Sequence, residues 1–212
     1  MTTAVRDRPI LFSALMVRAL LEGRKTQTRR IIKFGCVAPL SDFTSHGTRR
    51  FSWCDEVGRG EAVDEDSFLS LCPYGVLGDR LWVRECLTVG DETWHYAADG
   101  VDVMFSPENE TAARAWCFHK DGVTCPSIHM PRWASRLMLE ITDVRVQRVE
   151  DISEQDAEAE GVAPIMPPAR NAFSSKITRE AFLTLFYDIN KRALRGSNPW
   201  VWAITFKREG GC

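Results

Sequence analysis

Between Asp79 and Glu85 apolar and charged residues alternate, and this period of two predicts a half-buried strand through Leu81-Trp82-Val83. The period returns at Leu137, Leu139 and Ile141, set between Arg136, Met138 and Glu140, and Val144, Val146 and Val149 continue it past Asp143. That pattern predicts one long strand or a pair. Pro9-Ile10-Leu11-Phe12 reads as a first strand, and Trp200 to Phe206, entered through the turn Asn198-Pro199, reads as the last. Helical spacing occurs in three places. Leu15, Val17, Leu20 and Leu21 follow a capping residue, Ser13, and stop before Gly23, which suits the position just past a helix end. Ser153, with Asp156 three residues on, opens a short acidic helix that ends at Gly161. Thr178 caps an amphipathic helix carrying Phe182, Leu185, Phe186 and Ile189 on one face, with Lys191, Arg192 and Arg195 at its C-terminal end.

Two stretches break these patterns and read as insertions, at about 34–73 and 87–131. The first shows no sustained period, although Arg50-Phe51-Ser52-Trp53 has the composition of a strand edge. In the second, Thr93 to Ala97 and Val101 to Phe105 flank Asp99-Gly100, a hairpin signal. Pro164 to Ala169 is a Pro-rich linker, and there is no internal repeat. Many separated strands with a few short helices predict an α+β fold, a mixed β-barrel in one domain over 1–212, rather than a doubly wound sheet.

Composition narrows the class. With 44% apolar and 26% charged residues the chain is an ordinary globular protein, and at 212 residues it needs no staples to hold a core. Its seven cysteines are scattered and form no Cys-x-x-Cys, no apolar signal core opens the sequence, and no window reaches a membrane span. We therefore expect a cytoplasmic protein with free thiols and no membrane partner. Cys36, His46, Cys54 and Cys72 can be written as a zinc set, but their spacing is irregular, so neither metal nor cofactor is expected. A net charge of −2 excludes a whole-protein field for nucleic acid. The sign is uneven, though. Eight cations lie in residues 1–35, while Glu150, Asp151, Glu154, Asp156, Glu158 and Glu160 crowd the acidic helix.

The densest chemistry lies in Gly23-Arg24-Lys25-Thr26-Gln27-Thr28-Arg29-Arg30, four cations and two hydroxyls between a helix and the strand pair Ile31-Ile32. Such a turn gathers backbone N–H groups and cations at one spot, which suits an anionic or nucleotide ligand; the plainer reading is a solvated basic turn. Lys25 and Thr28 are three apart and share a face only if the chain is still turning there.

The run Gly23, Lys25, Thr28, Arg30 resembles the motif of the ASCH domain family, relatives of the PUA RNA-binding barrel. Gly78-Asp79 before its strand, the acidic helix from Ile152 to Gly161 and the closing Ile204-Thr205-Phe206-Lys207 are similar to that family as well. The resemblance implies a PUA-like mixed β-barrel with short flanking helices, here of a larger, phage- or prophage-type branch. Small bacterial members that hydrolyse N4-acetylcytidine use a Lys, a Thr and a Glu, and the matching residues are Lys25, Thr28 and Glu160.

The residues support that chemistry in their own right. Amide hydrolysis needs a nucleophile, a base and a proton donor for the leaving amine. Thr28 is the candidate nucleophile, and Lys25 its base if burial and Arg24, Arg29 and Arg30 lower its pKa. Glu160 is a candidate to orient the lysine, take a proton or bond to a cytosine amine. Arg24, Arg29 and Arg30 are candidates for a phosphate or a pyrimidine carbonyl, and Trp133, in an irregular segment with His129, for stacking on a base. Cys86 and Cys117 have no base partner in sequence and are rejected as nucleophiles. Two function classes follow: an amidohydrolase of N4-acylated cytidine, or a non-catalytic reader of RNA or of a modified base. A barrel serving only as an assembly scaffold is a third.

Overall fold

A computed structural model describes residues 4–33, 41–45, 47–54, 60–89, 93–104, 124–162, 177–190 and 196–210. Five strands form the central mixed sheet: β1 (Asp7–Leu11), β2 (Gln27–Ile31), β6 (Arg80–Arg84), β10 (Met138–Arg148) and β11 (Trp200–Arg208). Their order is β1-β6-β10-β11-β2. β1 runs parallel to β6, and the other neighbours are antiparallel. The ladder ends at β1 and β2, which are not paired to each other, so among the described residues the sheet is open and no barrel is closed. Helix α1 (Ala14–Leu21) connects these two end strands.

The alternating runs behave as periodicity demands. Leu81 and Val83 of β6 are buried, while Arg80, Trp82 and Arg84 face outward. β10 is one strand of eleven residues with a register irregularity between Ile141 and Asp143. Its Leu139 and Ile141 join Ile10, Val17, Leu81 and Ile204 in a single core. Each such side chain contributes about 1.5–3 kcal/mol when taken from water.

The stretch at about 34–73 is more ordered than its composition suggests. β3 (Ser41–Ser45), β4 (Thr48–Cys54) and β5 (Gly60–Asp64) form an antiparallel sheet, followed by α2 (Glu65–Leu69), which Asp64 caps by accepting from Ser67 N. Phe51 and Phe68 stack at 4.5 Å, and Phe68 stacks on Trp202 of β11 at 5.2 Å. The segment thus shares the main core. Of the described side chains of this sheet, Phe51 is buried in the core and Val63 packs against it, while Phe43 is exposed, too few apolar contacts to show a period.

In the second insertion β7 (Leu87–Val89) pairs with β8 (Trp94–Tyr96) and β9 (Thr124–Cys125). The Asp99-Gly100 turn forms, and among the described residues its return arm is joined by the bridge from His95 to Asp102 and backbone bonds from Tyr96 N and Val103 N. Arg136 fastens this turn to the central sheet through Glu85 at 2.9 Å and Asp99 at 2.8 Å. Ser153 caps α3 (Glu154–Ala159) by accepting from Asp156 N, as expected. Ser13 occupies the N-cap position of α1 without a side-chain cap bond. Thr178 lies inside α4 (Ile177–Ile189) and is buried, so it is not that helix's cap. No described helix is long and apolar enough to cross a membrane, and no group of three or more described His, Cys, Asp or Glu residues is placed to hold a metal. Cys36, His46 and the linker at 164–169 lie outside the described residues, as does the side chain of Cys54. Cys72 and Cys86 are free thiols.

Candidate active site

Gly23, at φ +73°, ends α1 in the left-handed conformation that a Cβ disfavours, and the chain reverses there. The amides of Arg24 and Lys25 both return to Ala19 O. Thr26 N donates to Ala159 O of α3, and Thr26 O accepts from Phe206 N of β11. The strand begins only at Gln27, so Lys25 is still in the turn. That resolves the spacing of three: Lys25 and Thr28 both line one cleft.

At the other wall α3 ends on Gly161, φ +78°. A Cβ on Gly161 would lie 2.8 Å from Ala19 Cβ and 2.9 Å from Lys25 Cβ. The close seat brings Glu160 against Lys25. Lys25 Nζ donates to Glu160 Oε2 at 2.9 Å, to Glu160 O at 2.9 Å and to Gln27 O at 2.8 Å. Arg29 donates to Glu160 Oε1 at 3.1 Å, to Asp156 Oδ2 at 3.0 Å and to Gln27 Oε1 at 2.6 Å. Gln27 Nε2 closes the network on Asp156 Oδ1 and Thr205 Oγ1. Lys25, Arg29 and Glu160 are each 4% exposed or less.

Beneath the cleft Lys25 and Arg29 meet Glu160 and Asp156, with Arg145 also 3.6 Å from Asp156, and Arg30 adds a charge at the wall with no described carboxylate in a salt bridge. Burial pulls the Lys25 pKa down, the charge and hydrogen bond of Glu160 push it up, and Arg30 and Arg29 lower it further; the outcome is a value below the ordinary one. All three N–H groups of the ammonium are accepted by oxygen. Lys25 can act as a base only after passing a proton to Glu160 along the 2.9 Å bond. Desolvation favours that neutral pair, and Arg29 on the other carboxylate oxygen opposes it.

The cleft has a volume of about 380 Å³. Lys25, Thr28, Arg29, Arg30 and Glu160 form its polar side, and Phe182, Leu185, Phe186 and Ile189 of α4 face them. Thr28 is paired in register with Ile204 of β11 and lines the cleft. Arg30 donates to Leu11 O at 2.6 Å and lies over the Phe12 ring at 5.3 Å.

Five of the residues singled out in the sequence thus meet in one place, and two do not. Arg24 is exposed, pairs with Glu22 and donates to Gly161 O. Trp133 sits in a 3₁₀ turn (Arg132–Ala134) and packs against the cluster of Leu87, Trp94 and Tyr96; it is not in the cleft lining. Sequence reasoning missed Asp156 and Gln27 as members of the network. The spacing of Asp156 and Glu160, one helical turn, was the available signal. The amphipathic face expected of α4 lines the cleft, where Leu185 is partly and Ile189 largely exposed. Nothing in sequence marks Ser127, which joins the lining from the second insertion.

No family model matches the chain, and no curated protein or solved structure matches it.

Proposed function

We propose that this cleft binds a modified pyrimidine nucleoside or nucleotide, free or within RNA, and hydrolyses the N4-acyl amide of an N4-acetylcytidine-like substrate. The same reading takes the five-stranded sheet as the PUA-like barrel of an ASCH-type protein. One observation carries it: Lys25, Thr28 and Glu160 line a single cleft, with Lys25 buried and its pKa lowered. A planar pyrimidine fits between that polar side and the aromatic wall of α4.

Substrate entry excludes water and favours the neutral Lys25–Glu160 pair. Thr28 Oγ then attacks the acyl carbon, and its proton passes to Lys25 Nζ. Arg30, which stays charged, steadies the oxyanion. Collapse breaks the C–N4 bond, and Lys25 returns the proton to N4 as the cytosine amine leaves. Water attacks the acyl-threonine, gives a proton to Lys25 and frees acetate and Thr28. The balance is one amide and one water consumed, one amine and one carboxylic acid formed.

The test is incubation of the full chain with N4-acetylcytidine, following cytidine. Thr28→Ala and Lys25→Met are each expected to lose on the order of 10²-fold in turnover, and the double variant little more. Absence of cytidine formation by the parent protein would overturn the enzymatic reading. One observation favours the runner-up, a non-catalytic reader: every N–H of Lys25 is already occupied, as in a fixed ion pair. A reader binds the modified base without turnover, and Thr28→Ala leaves that binding nearly intact.

A further inference from the structure

Asp156 stands one helical turn before Glu160, so the two carboxylates share a side of α3 and meet Arg29 together. Arg29 Nη1 donates to Glu160 Oε1 at 3.1 Å, and Nη2 donates to Asp156 Oδ2 at 3.0 Å. The other oxygen of Glu160, Oε2, accepts from Lys25 Nζ at 2.9 Å. Gln27 braces the arrangement from β2. Its Oε1 accepts from Arg29 Nη1 at 2.6 Å, and its Nε2 donates to Asp156 Oδ1 at 3.3 Å and to Thr205 Oγ1 at 3.1 Å. On the outer side Arg145 of β10 lies 3.6 Å from Asp156 Oδ1 and 3.0 Å from Asp143. Asp156 itself is not in the cleft lining.

Charges therefore alternate from the cleft to the surface, through Lys25, Glu160, Arg29, Asp156, Arg145 and Asp143. The first three side chains are enclosed, and exposure then rises to 22% at Asp156 and 50% at Asp143. An arginine keeps its proton, so this row cannot conduct one. It transmits geometry and charge. With Nη2 on Asp156, Arg29 gives Glu160 a single N–H end, and Oε2 is left to Lys25. Losing that anchor frees Nη2, and a free guanidinium closes on a carboxylate with both ends, one on each oxygen. Lys25 would then share Oε2 with a cation whose charge Glu160 alone must meet, in a place water does not reach. The charged groups facing Lys25 are Glu160 of α3 and Arg29 and Arg30 of β2, and those facing Asp156 are Arg29 and Arg145.

We propose that Asp156 is a positioning residue for the chemistry of the cleft: it holds Arg29 from outside the lining and so keeps Glu160 Oε2 for Lys25. The role rests on the reading of Lys25 as the base in amide hydrolysis. Removing the charge at position 156 leaves the Lys25–Glu160 pair beside a surplus of positive charge. Both the gain of a second proton by the pair and the loss of its last one then move to lower pH.

Two measurements on the full chain test it. The first titrates the carbon-13 signal of the Lys25 ε-methylene by NMR, assigned through its loss in Lys25→Met. In Asp156→Asn the midpoint is expected to fall below that of the parent. Glu158→Gln, the same change of charge at an exposed site of the same helix, is expected to move it less. An unmoved midpoint in Asp156→Asn, or an equal fall in Glu158→Gln, overturns the role. Should a melting curve show Asp156→Asn unfolded, the exposed Arg145→Ala decides: it releases Asp156 to Arg29 and raises the midpoint, and a midpoint unmoved or lowered overturns the role. The second measurement is the pH profile of kcat/KM for N4-acetylcytidine. Asp156→Asn is expected to lower kcat on the order of tenfold, with KM nearly unchanged, and to carry both limbs to lower pH. A lower kcat with both limbs in place marks a merely structural residue and overturns the proposal. A shifted Lys25 midpoint in a protein that forms no cytidine supports the hold of Asp156 on the pair and overturns the enzymatic reading. Cytidine formation with an unmoved midpoint does the reverse.

Discussion

Glu160→Gln probes the network beneath the cleft most directly. The carboxylate accepts from Lys25 at 2.9 Å and from Arg29 at 3.1 Å, and those two side chains are 1% and 0% exposed. A glutamine keeps the shape but has only one acceptor oxygen, so its NH₂ must face one of the two cations. One charge-assisted bond is lost, the other weakens, and neither cation can turn to water. Hydrogen bonds to charged groups contribute about 1.5–3 kcal/mol each, and removing one partner of a buried pair costs about 3–5 kcal/mol. We expect a loss of about 3–5 kcal/mol at pH 7, read by urea unfolding. For a chain of this size that corresponds to a fall in Tm of about 6–20 °C. The sign of the pH dependence follows from Lys25. Its folded pKa is below 10.5, so between the two values the unfolded chain binds more protons and stability rises with pH. In Glu160→Gln the folded pKa falls further, because its largest upward influence is gone. The loss relative to the parent should therefore shrink as pH rises toward 10.5, leaving only the share that belongs to Arg29. A loss within about 0.5 kcal/mol, the range of neutral surface changes, or one that grows with pH, would refute this account of the network.

Three further outcomes test the surrounding structure. Gly161→Ala places a Cβ 2.8 Å from Ala19 and 2.9 Å from Lys25 at φ +78°, and the overpacking and backbone strain should cost about 2–4 kcal/mol in urea unfolding; a variant as stable as the parent would mean that α3 is not seated against Lys25. Burial raises the Cys72 thiol from 9.0 to about 11, so its contribution is present below pH 9 and about 2–3 kcal/mol of stability is lost as pH rises to 11; Cys72→Ala should flatten that fall, and an unchanged slope would assign it elsewhere. Phe68→Ala removes the ring stacked on Phe51 and Trp202 and should cost about 3–5 kcal/mol within a single unfolding transition, whereas a loss below about 1 kcal/mol would show that the first insertion folds apart from the central sheet.

The elements that announce themselves in sequence are those whose burial repeats. β6 and β10 bury every second side chain, so alternation located them, and Ser153 and Gly161 bounded α3 because caps are local chemistry. The three-stranded sheet of the first insertion escaped because its anchors Phe51 and Phe68 act across 16 intervening positions and report on Trp202, not on each other's neighbours. The same contrast governs the site. Lys25 and Thr28 were legible because a turn of eight residues holds them. Glu160 was placed by its resemblance to a family pattern, since nothing in a linear reading brings residue 160 to residue 25. Arg29 shows the limit of reading charge from sequence: it was assigned to a ligand with its neighbours, yet Glu160 and Asp156 already occupy it. Whether a cation is available depends on which carboxylates the fold delivers to it.

That distinction orders the cations of the motif by function. Arg24 is exposed and paired on the surface, and screening by water leaves such a pair little to contribute. Arg29 is fully enclosed and fixes the carboxylate that Lys25 needs. Lys25 is buried at a cost that its three acceptors offset, and burial holds its pKa below the ordinary lysine value. Arg30 alone lines the cleft as a cation with no described carboxylate partner. One eight-residue stretch thus supplies a surface charge, a structural clamp, a titratable group and a cleft-lining cation with no described carboxylate partner. The separation comes from where α3 and β1 meet the turn: α3 takes Lys25 and Arg29 through Glu160 and Asp156, while β1 offers Arg30 only the carbonyl of Leu11. With α3's carboxylates on one side and the Leu11 carbonyl of β1 on the other, Arg30 is the cleft-lining cation of the motif that no described carboxylate pairs, two residues along β2 from Thr28.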